Sequence, residues 1–227
     1  MWLLFIVVLL SGCQSIPISF GQTIIEWVDF IKWNGKEYEG IYTAVLADET
    51  FIGEKVGEVQ FKVADNVKNP SYRTKDGDAA FHEAGTELYS IKGREDIIAV
   101  KSDYAINGYE IYYSRDDTEY KWHFKDLPAE KVERIEIYQN GNDLLTELSE
   151  KEDVQGFLIL LQNSEESLTY NPNMNNGDPI IYDMIFYTDE PIAYSYTLFY
   201  DGVTYYWHPW NTSILSEEMN GYLEAGQ

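Results

Sequence analysis

The sequence predicts a mainly β protein of the α+β class: an N-terminal antiparallel β barrel or sandwich, followed by an antiparallel sheet covered by one helix. Three observations carry this expectation. From Trp27 to Phe124, short runs of β-branched and aromatic residues recur between turn dipeptides, a spacing that suits a small barrel or sandwich. One later stretch, 150–162, carries apolar residues at helical spacing, the mark of an amphipathic helix. Finally, 19 Tyr, 10 Phe and 6 Trp among 227 residues, with 44% hydrophobic residues overall, supply the large side chains that half-buried strands favour and exclude a disordered chain.

Taken in order, Phe30-Ile31-Lys32-Trp33 precedes Asn34-Gly35, a dipeptide that accepts the positive φ of a two-residue hairpin turn. Tyr38 to Val45 returns on the far side. Val56 to Val63 alternates, with Val59, Phe61 and Val63 apolar and Glu58, Gln60 and Lys62 polar, the period of a half-buried strand. A polar loop, 64–79, contains Asn69-Pro70 and Asp76-Gly77. Glu87 to Lys92, Ile97 to Val100 and Tyr109 to Tyr113 are three more strands, separated by turns at Gly93 and Asn107-Gly108. A polar joint around Pro128 divides an all-β domain, 23–127, from an α+β domain, 128–227. Val132 to Tyr138 reads as a strand ending in Asn140-Gly141. Ser149-Glu150-Lys151-Glu152 matches a capping box, in which the serine hydroxyl and the glutamate three residues on satisfy free amides of a helix start. A helix is therefore expected from Glu150 to about Gln162, with Val154, Phe157, Leu158 and Leu161 on one stripe. After a loop at 171–178, Ile180 to Tyr187, Ile192 to Tyr200 and Val203 to Trp207 are strands, the last two joined by Asp201-Gly202, and a short helix follows Ser216.

The charge is strongly one-sided: 16 Lys and Arg against 39 Asp and Glu give a formal net charge of -23. Nucleic acid is excluded as a partner, because phosphate binding needs basic patches that displace counterions. Most of this acidity is read as solvated surface. It favours cations and basic partners over anionic polymers.

Residues 1–12 carry no charged side chain and end in Leu10-Ser11-Gly12 before Cys13, the only cysteine of the chain. A spanning helix needs roughly 20 apolar residues, and Gln14, Ser15 and Pro17 interrupt this run too early. The segment Leu10-Ser11-Gly12-Cys13 resembles the lipobox of bacterial lipoproteins. The resemblance covers the first thirteen residues alone. It implies that 1–12 is a signal peptide, that Cys13 is the diacylated mature N-terminus, and that 13–22 is a short tether to the membrane. Two acyl chains suffice for stable anchoring, so the resemblance places the folded part outside the cell, close to the bilayer.

No motif for a catalytic centre or a cofactor stands out. There is no Gly-x-Ser-x-Gly elbow and no phosphate-cradling glycine loop. His82-Glu83 beside Asp76 and Asp78, and the Asp116-Asp117-Glu119 turn, lack the paired spacing of zinc sites or the full ligand series of a calcium loop. They are read as ordinary loop residues, and neither a metal nor a cofactor is expected. Tyr120-Lys121-Trp122-His123 and Tyr205-Tyr206-Trp207-His208 form a weak internal repeat. In the second copy, alternation puts Tyr206, His208 and Trp210 on one face and Tyr205 and Trp207 on the other. The second pair is expected under the helix, and the first set is the candidate ligand surface, with Pro209 ending or bending the strand. Packing in a core remains the competing role for these rings. The expected function is a non-enzymatic binding or accessory module that holds a protein, peptide or cell-wall ligand near the membrane. Two other readings stay open: a wall-directed glycoside hydrolase with paired carboxylates, and an acidic inhibitor or immunity protein for a basic target.

Overall fold

A computed structural model describes residues 26–141, 143–175 and 177–223. Cys13, the signal segment and the tether lie outside these residues. The first part of the chain runs β1 (Phe30–Trp33), β2 (Lys36–Gly40), β3 (Ala44–Leu46), β4 (Ile52–Glu58), β5 (Phe61–Lys62), a single turn α1 (Val63–Asn66), β6 (Asp78–Ala79), β7 (Glu87–Ile91), β8 (Arg94–Lys101) and β9 (Tyr109–Ser114). The second runs β10 (Arg134–Gln139), β11 (Asp143–Leu148), α2 (Lys151–Gln162), β12 (Glu165–Glu166), β13 (Ile180–Tyr187), β14 (Ile192–Tyr200), β15 (Tyr205–Trp207), β16 (Ser213–Ile214) and α3 (Asn220–Leu223). The fold is mainly β, as the sequence predicts.

Eight strands form the first sheet in the order β4-β7-β8-β9-β2-β1-β6-β5. Its two outer strands, β4 and β5, are parts of one segment separated only by Val59-Gln60, so the sheet curls back on itself. The amides of Gln60 and Phe61 both donate to the Gly77 carbonyl, and the Val59 amide donates to Thr86. Trp33 reaches across to β4, where a side chain on Gly57 would overlap its ring. Inside the curl pack Ile31, Tyr38, Val59, Ala79, Leu88, Ile98, Val100 and Tyr112. The opposite face of β8, Ile97 and Ala99, packs instead with Leu46, Ile111, Tyr113, Trp122 and Ile192.

The second sheet has the order β11-β10-β13-β14-β15-β16-β12. One face is covered by α2, through Val154, Phe157, Leu158 and Leu161, over Ile135, Ile137, Met184, Phe186, Leu198, Tyr205 and Trp207. The chain passes from one sheet to the other through two short 3-10 turns on either side of Pro128. A second link is β3, which leaves the first sheet's sequence order to pair with β14, Leu46 opposite Ile192 and Ala44 opposite Tyr194. Asn107, at φ 60° in the turn before β9, fixes this junction. Its side-chain amide donates to the Leu46 carbonyl (2.8 Å) and to the Tyr187 hydroxyl (3.2 Å).

Three expectations need correction. The Val56–Val63 strand is not continuous: it stops at Glu58, bends, resumes for two residues, and Val63 opens a helical turn. Closure of the curled sheet imposes this bend, and it leaves Phe61 36% exposed while Val59 and Val63 are buried. The capping box at Ser149 does not form, because the cap of α2 is Glu150, without any side-chain cap bond. Ser149 falls in the extended exit from β11, one residue too early. That strand was itself unforeseen; it makes a hairpin with β10 through the Asn140-Gly141 turn.

Candidate functional site

The aromatic strand β15 divides its side chains by alternation. Tyr205 and Trp207 point into the core under α2, where the Trp207 ring nitrogen donates to Ser164 Oγ (3.0 Å). Tyr206 takes the other face and stacks on Phe199, with ring centroids 5.1 Å apart, beside Tyr170 at 5.2 Å. His208 contacts the Phe199 and Tyr206 rings, and its Nδ1 lies 3.2 Å from Thr212 Oγ1. Tyr206 is nevertheless buried, while His208 is exposed. Trp210 does not join this group. The strand ends at Trp207, Pro209 has no amide to continue a ladder, and the Trp210 ring sits 5.6 Å from His123 instead. It is 80% exposed and forms one wall of a hollow of about 290 Å³ with His123, Phe124, Lys125 and Pro209.

The acidic turns considered for calcium act as structural clamps. Both Asp76 oxygens accept from the Gly35 amide, fixing the β1–β2 turn. Buried Asp78 accepts from the Tyr72 hydroxyl and the Lys75 amide, and Asp117 pairs with Lys36. Among the described residues no group of three His, Cys, Asp or Glu side chains is placed to hold a metal ion. A hollow of about 640 Å³ is lined by Trp33, Tyr38, Arg94 and Asp76 among others. Two of its charged groups are already engaged: Asp76 by the turn, and Arg94 by a two-bond pair with Asp96 (2.9 and 2.8 Å).

A different recess combines open ring surface with less committed charge. Glu110 and Tyr112 are two residues apart on β9 and so share a face. Asp29 approaches from the residue before β1, passing close over Gly40, where an added Cβ would lie 2.7 Å from its Oδ2. Tyr42 comes from the β2–β3 connection, Tyr104 from the loop after β8, and His82 from the loop after β6. The Tyr112 hydroxyl donates to Asp29 Oδ2 (3.0 Å) and lies 2.6 Å from His82 Nε2. The Tyr42 hydroxyl donates to the same Oδ2 at 3.2 Å. Glu110 Oε2 stands 3.5 Å from the Tyr112 hydroxyl and 3.6 Å from His82 Nε2.

Burial raises the Asp29 carboxyl above the ordinary aspartate range, against the opposing pull of the Tyr112 hydrogen bond. Among the described residues its buried Oδ1 has no partner, which adds to the cost of the charged form. Burial, and then the neighbouring Asp29 charge, push the Tyr112 hydroxyl far up as well, so it stays a protonated donor. Asp29, Tyr42, Tyr104, Tyr109, Glu110 and Tyr112 line a recess of about 360 Å³. The Tyr42 and Tyr104 side chains are 77% and 94% exposed. Sequence reasoning missed this group because its residues come from five separate segments between positions 29 and 112. The one local signal was the Glu110-Ile111-Tyr112 alternation. No protein-family model, curated protein or solved structure matches the chain.

Proposed function

We propose that this protein is an extracytoplasmic binding module, anchored to the membrane through lipid on Cys13, with the Asp29–Tyr112 recess as its ligand site. The observation that carries the ligand site is the pairing of a fixed polar floor with two open tyrosines at its rim. Binding sites combine an apolar or aromatic lining with a few placed polar groups, and exposed rings held in one place have little entropy to lose on contact. Tyr42 is an example, since its hydroxyl is bonded to Asp29 while the side chain stays 77% exposed. The anchor rests on Leu10-Ser11-Gly12-Cys13.

A hydrolase reading draws on the same place, because Asp29 and Glu110 both approach the Tyr112 hydroxyl and one carboxyl is raised, an arrangement known from acid and base pairs. The oxygen geometry favours binding instead. Asp29 Oδ2 already accepts from two tyrosines, and Oδ1 is buried, so no free Asp29 oxygen faces a substrate. The test is an NMR titration of the soluble domain with released wall polymer and surface peptides from the producing cell. Saturable shifts near Tyr42, Tyr104 and Glu110, with the ligand recovered unchanged, support the reading. Cleaved ligand, or shifts confined to the Tyr206 and His208 face, overturns it.

A further inference from the structure

We propose that the tyrosine recess recognises an alkylammonium group, the positively charged end of a small organic cation. This rests on the reading of the recess as a ligand site and names the chemistry of what enters it. Two features converge on a cation. First, the recess holds two carboxylates, Asp29 and Glu110, and among the described residues no Lys or Arg forms an ion pair with either; the basic neighbour is His82, whose Nε2 lies 3.6 Å from Glu110 and whose charge also acts on Asp29. Second, four tyrosines, Tyr42, Tyr104, Tyr109 and Tyr112, line the same space. Tyrosine rings present negative π faces that attract ammonium groups within about 6 Å, an attraction that strengthens as water is displaced.

Anionic ligands are disfavoured by the same two carboxylates. Neutral sugars also stack on rings, but they would leave the acidic pair uncompensated on losing its water. An ammonium group compensates the charge and uses the rings together. Glu110, with 43% of its side chain exposed, supplies the accessible carboxylate, and Tyr42 and Tyr104 supply open ring surface.

Choline and its neutral isostere 3,3-dimethylbutanol differ in charge alone, and n-butylammonium adds a primary amine; each is titrated into the folded soluble domain and followed by NMR. Choline or butylammonium should bind at least about tenfold more tightly than the neutral alcohol, with shifts at Tyr42, Tyr104 and Glu110. Tyr104→Ala and Glu110→Gln alter exposed side chains, so the fold is kept, and each should weaken the cation about three- to tenfold, while Glu110→Gln should leave the uncharged alcohol unchanged. Equal binding of the alcohol and the cations would overturn the cation proposal and leave the recess standing as a neutral site. Cation binding indifferent to both variants, or no binding of either cation, also overturns it, whereas the reading of the recess as a ligand site is judged separately by the polymer and peptide titration.

Discussion

Asp201 accepts four hydrogen bonds: Oδ1 from the amides of Val203 and Thr204, Oδ2 from the Tyr170 hydroxyl and the Asn173 amide. Burial alone would raise its carboxyl, but these donors outweigh that and hold it down to about 2. A depressed folded value means stability that is present above the unfolded value near 3.8 and is lost as pH falls towards 2. Asp201→Asn places an amide donor against one of these donor pairs, so it should cost about 2 kcal/mol at pH 6 and much less near pH 2; urea unfolding at the two pH values checks this. Asp29 has the opposite sign. Its raised carboxyl disfavours the charged form in the fold, so acidification from neutral pH towards 3.8 favours folding at that site. A carboxyl-carbon NMR titration should therefore place Asp29 above and Asp201 below the ordinary aspartate range. Sequence showed the Asp201-Gly202 turn because turn chemistry is local. It could not show the load on Asp201, since Tyr170 and Asn173 lie some thirty residues away. For the same reason Tyr206 and His208 could be placed on one face by alternation, while the departure of Trp210 depended on where Pro209 ended the strand.

At the scale of elements, α2 is held by its buried stripe rather than by its start. Leu158 is 1% exposed beneath the sheet, and Leu158→Ala should cost about 2–5 kcal/mol. Ser149→Ala should change stability by less than about 0.5 kcal/mol, because the hydroxyl caps nothing; denaturant midpoints of both variants test the contrast. The barrel depends on a close approach of Trp33 to Gly57. Gly57→Ala pushes a methyl into a rigid ring, a form of overpacking that costs typically about 1–3 kcal/mol, and Trp33 fluorescence should report the displaced indole. Local grammar made most elements readable: Asn34-Gly35, Asn107-Gly108 and Asn140-Gly141 all take the positive φ that their sequences invite. What stayed hidden was β11, whose Leu144, Leu145 and Leu148 do not alternate with its polar residues and so give no period-two signal. The bend at Val59-Gln60 was hidden too, since it answers to barrel closure and not to its own side chains.

Across the whole molecule, the two sheets share the β3–β14 ladder and the apolar cluster in which Ile192 meets Leu46 and Trp122. They should therefore unfold in one transition, with matching calorimetric and van 't Hoff enthalpies. Asn107→Gly keeps the turn's positive φ but removes the bonds to Leu46 and Tyr187; it should lower stability by about 1–3 kcal/mol and separate the transitions if this junction is the main tie. The fold class was legible because two differing local patterns, turn-punctuated strands and then one helix, sit in sequence. The crossing of β3 was not, as a pairing over about 146 residues leaves no mark on either strand. That crossing also imposes an order in time. During synthesis at about 5–20 residues per second, β3 exists for roughly 7–30 s before Ile192 emerges to meet it. Throughout that interval its edge is open and the outer face of the barrel is bare. Because Tyr42 stands two residues ahead of β3, and Ala44 and Val45 line the tyrosine recess, the recess reaches its final shape only after the second sheet has been made. An incomplete chain would thus present no finished site.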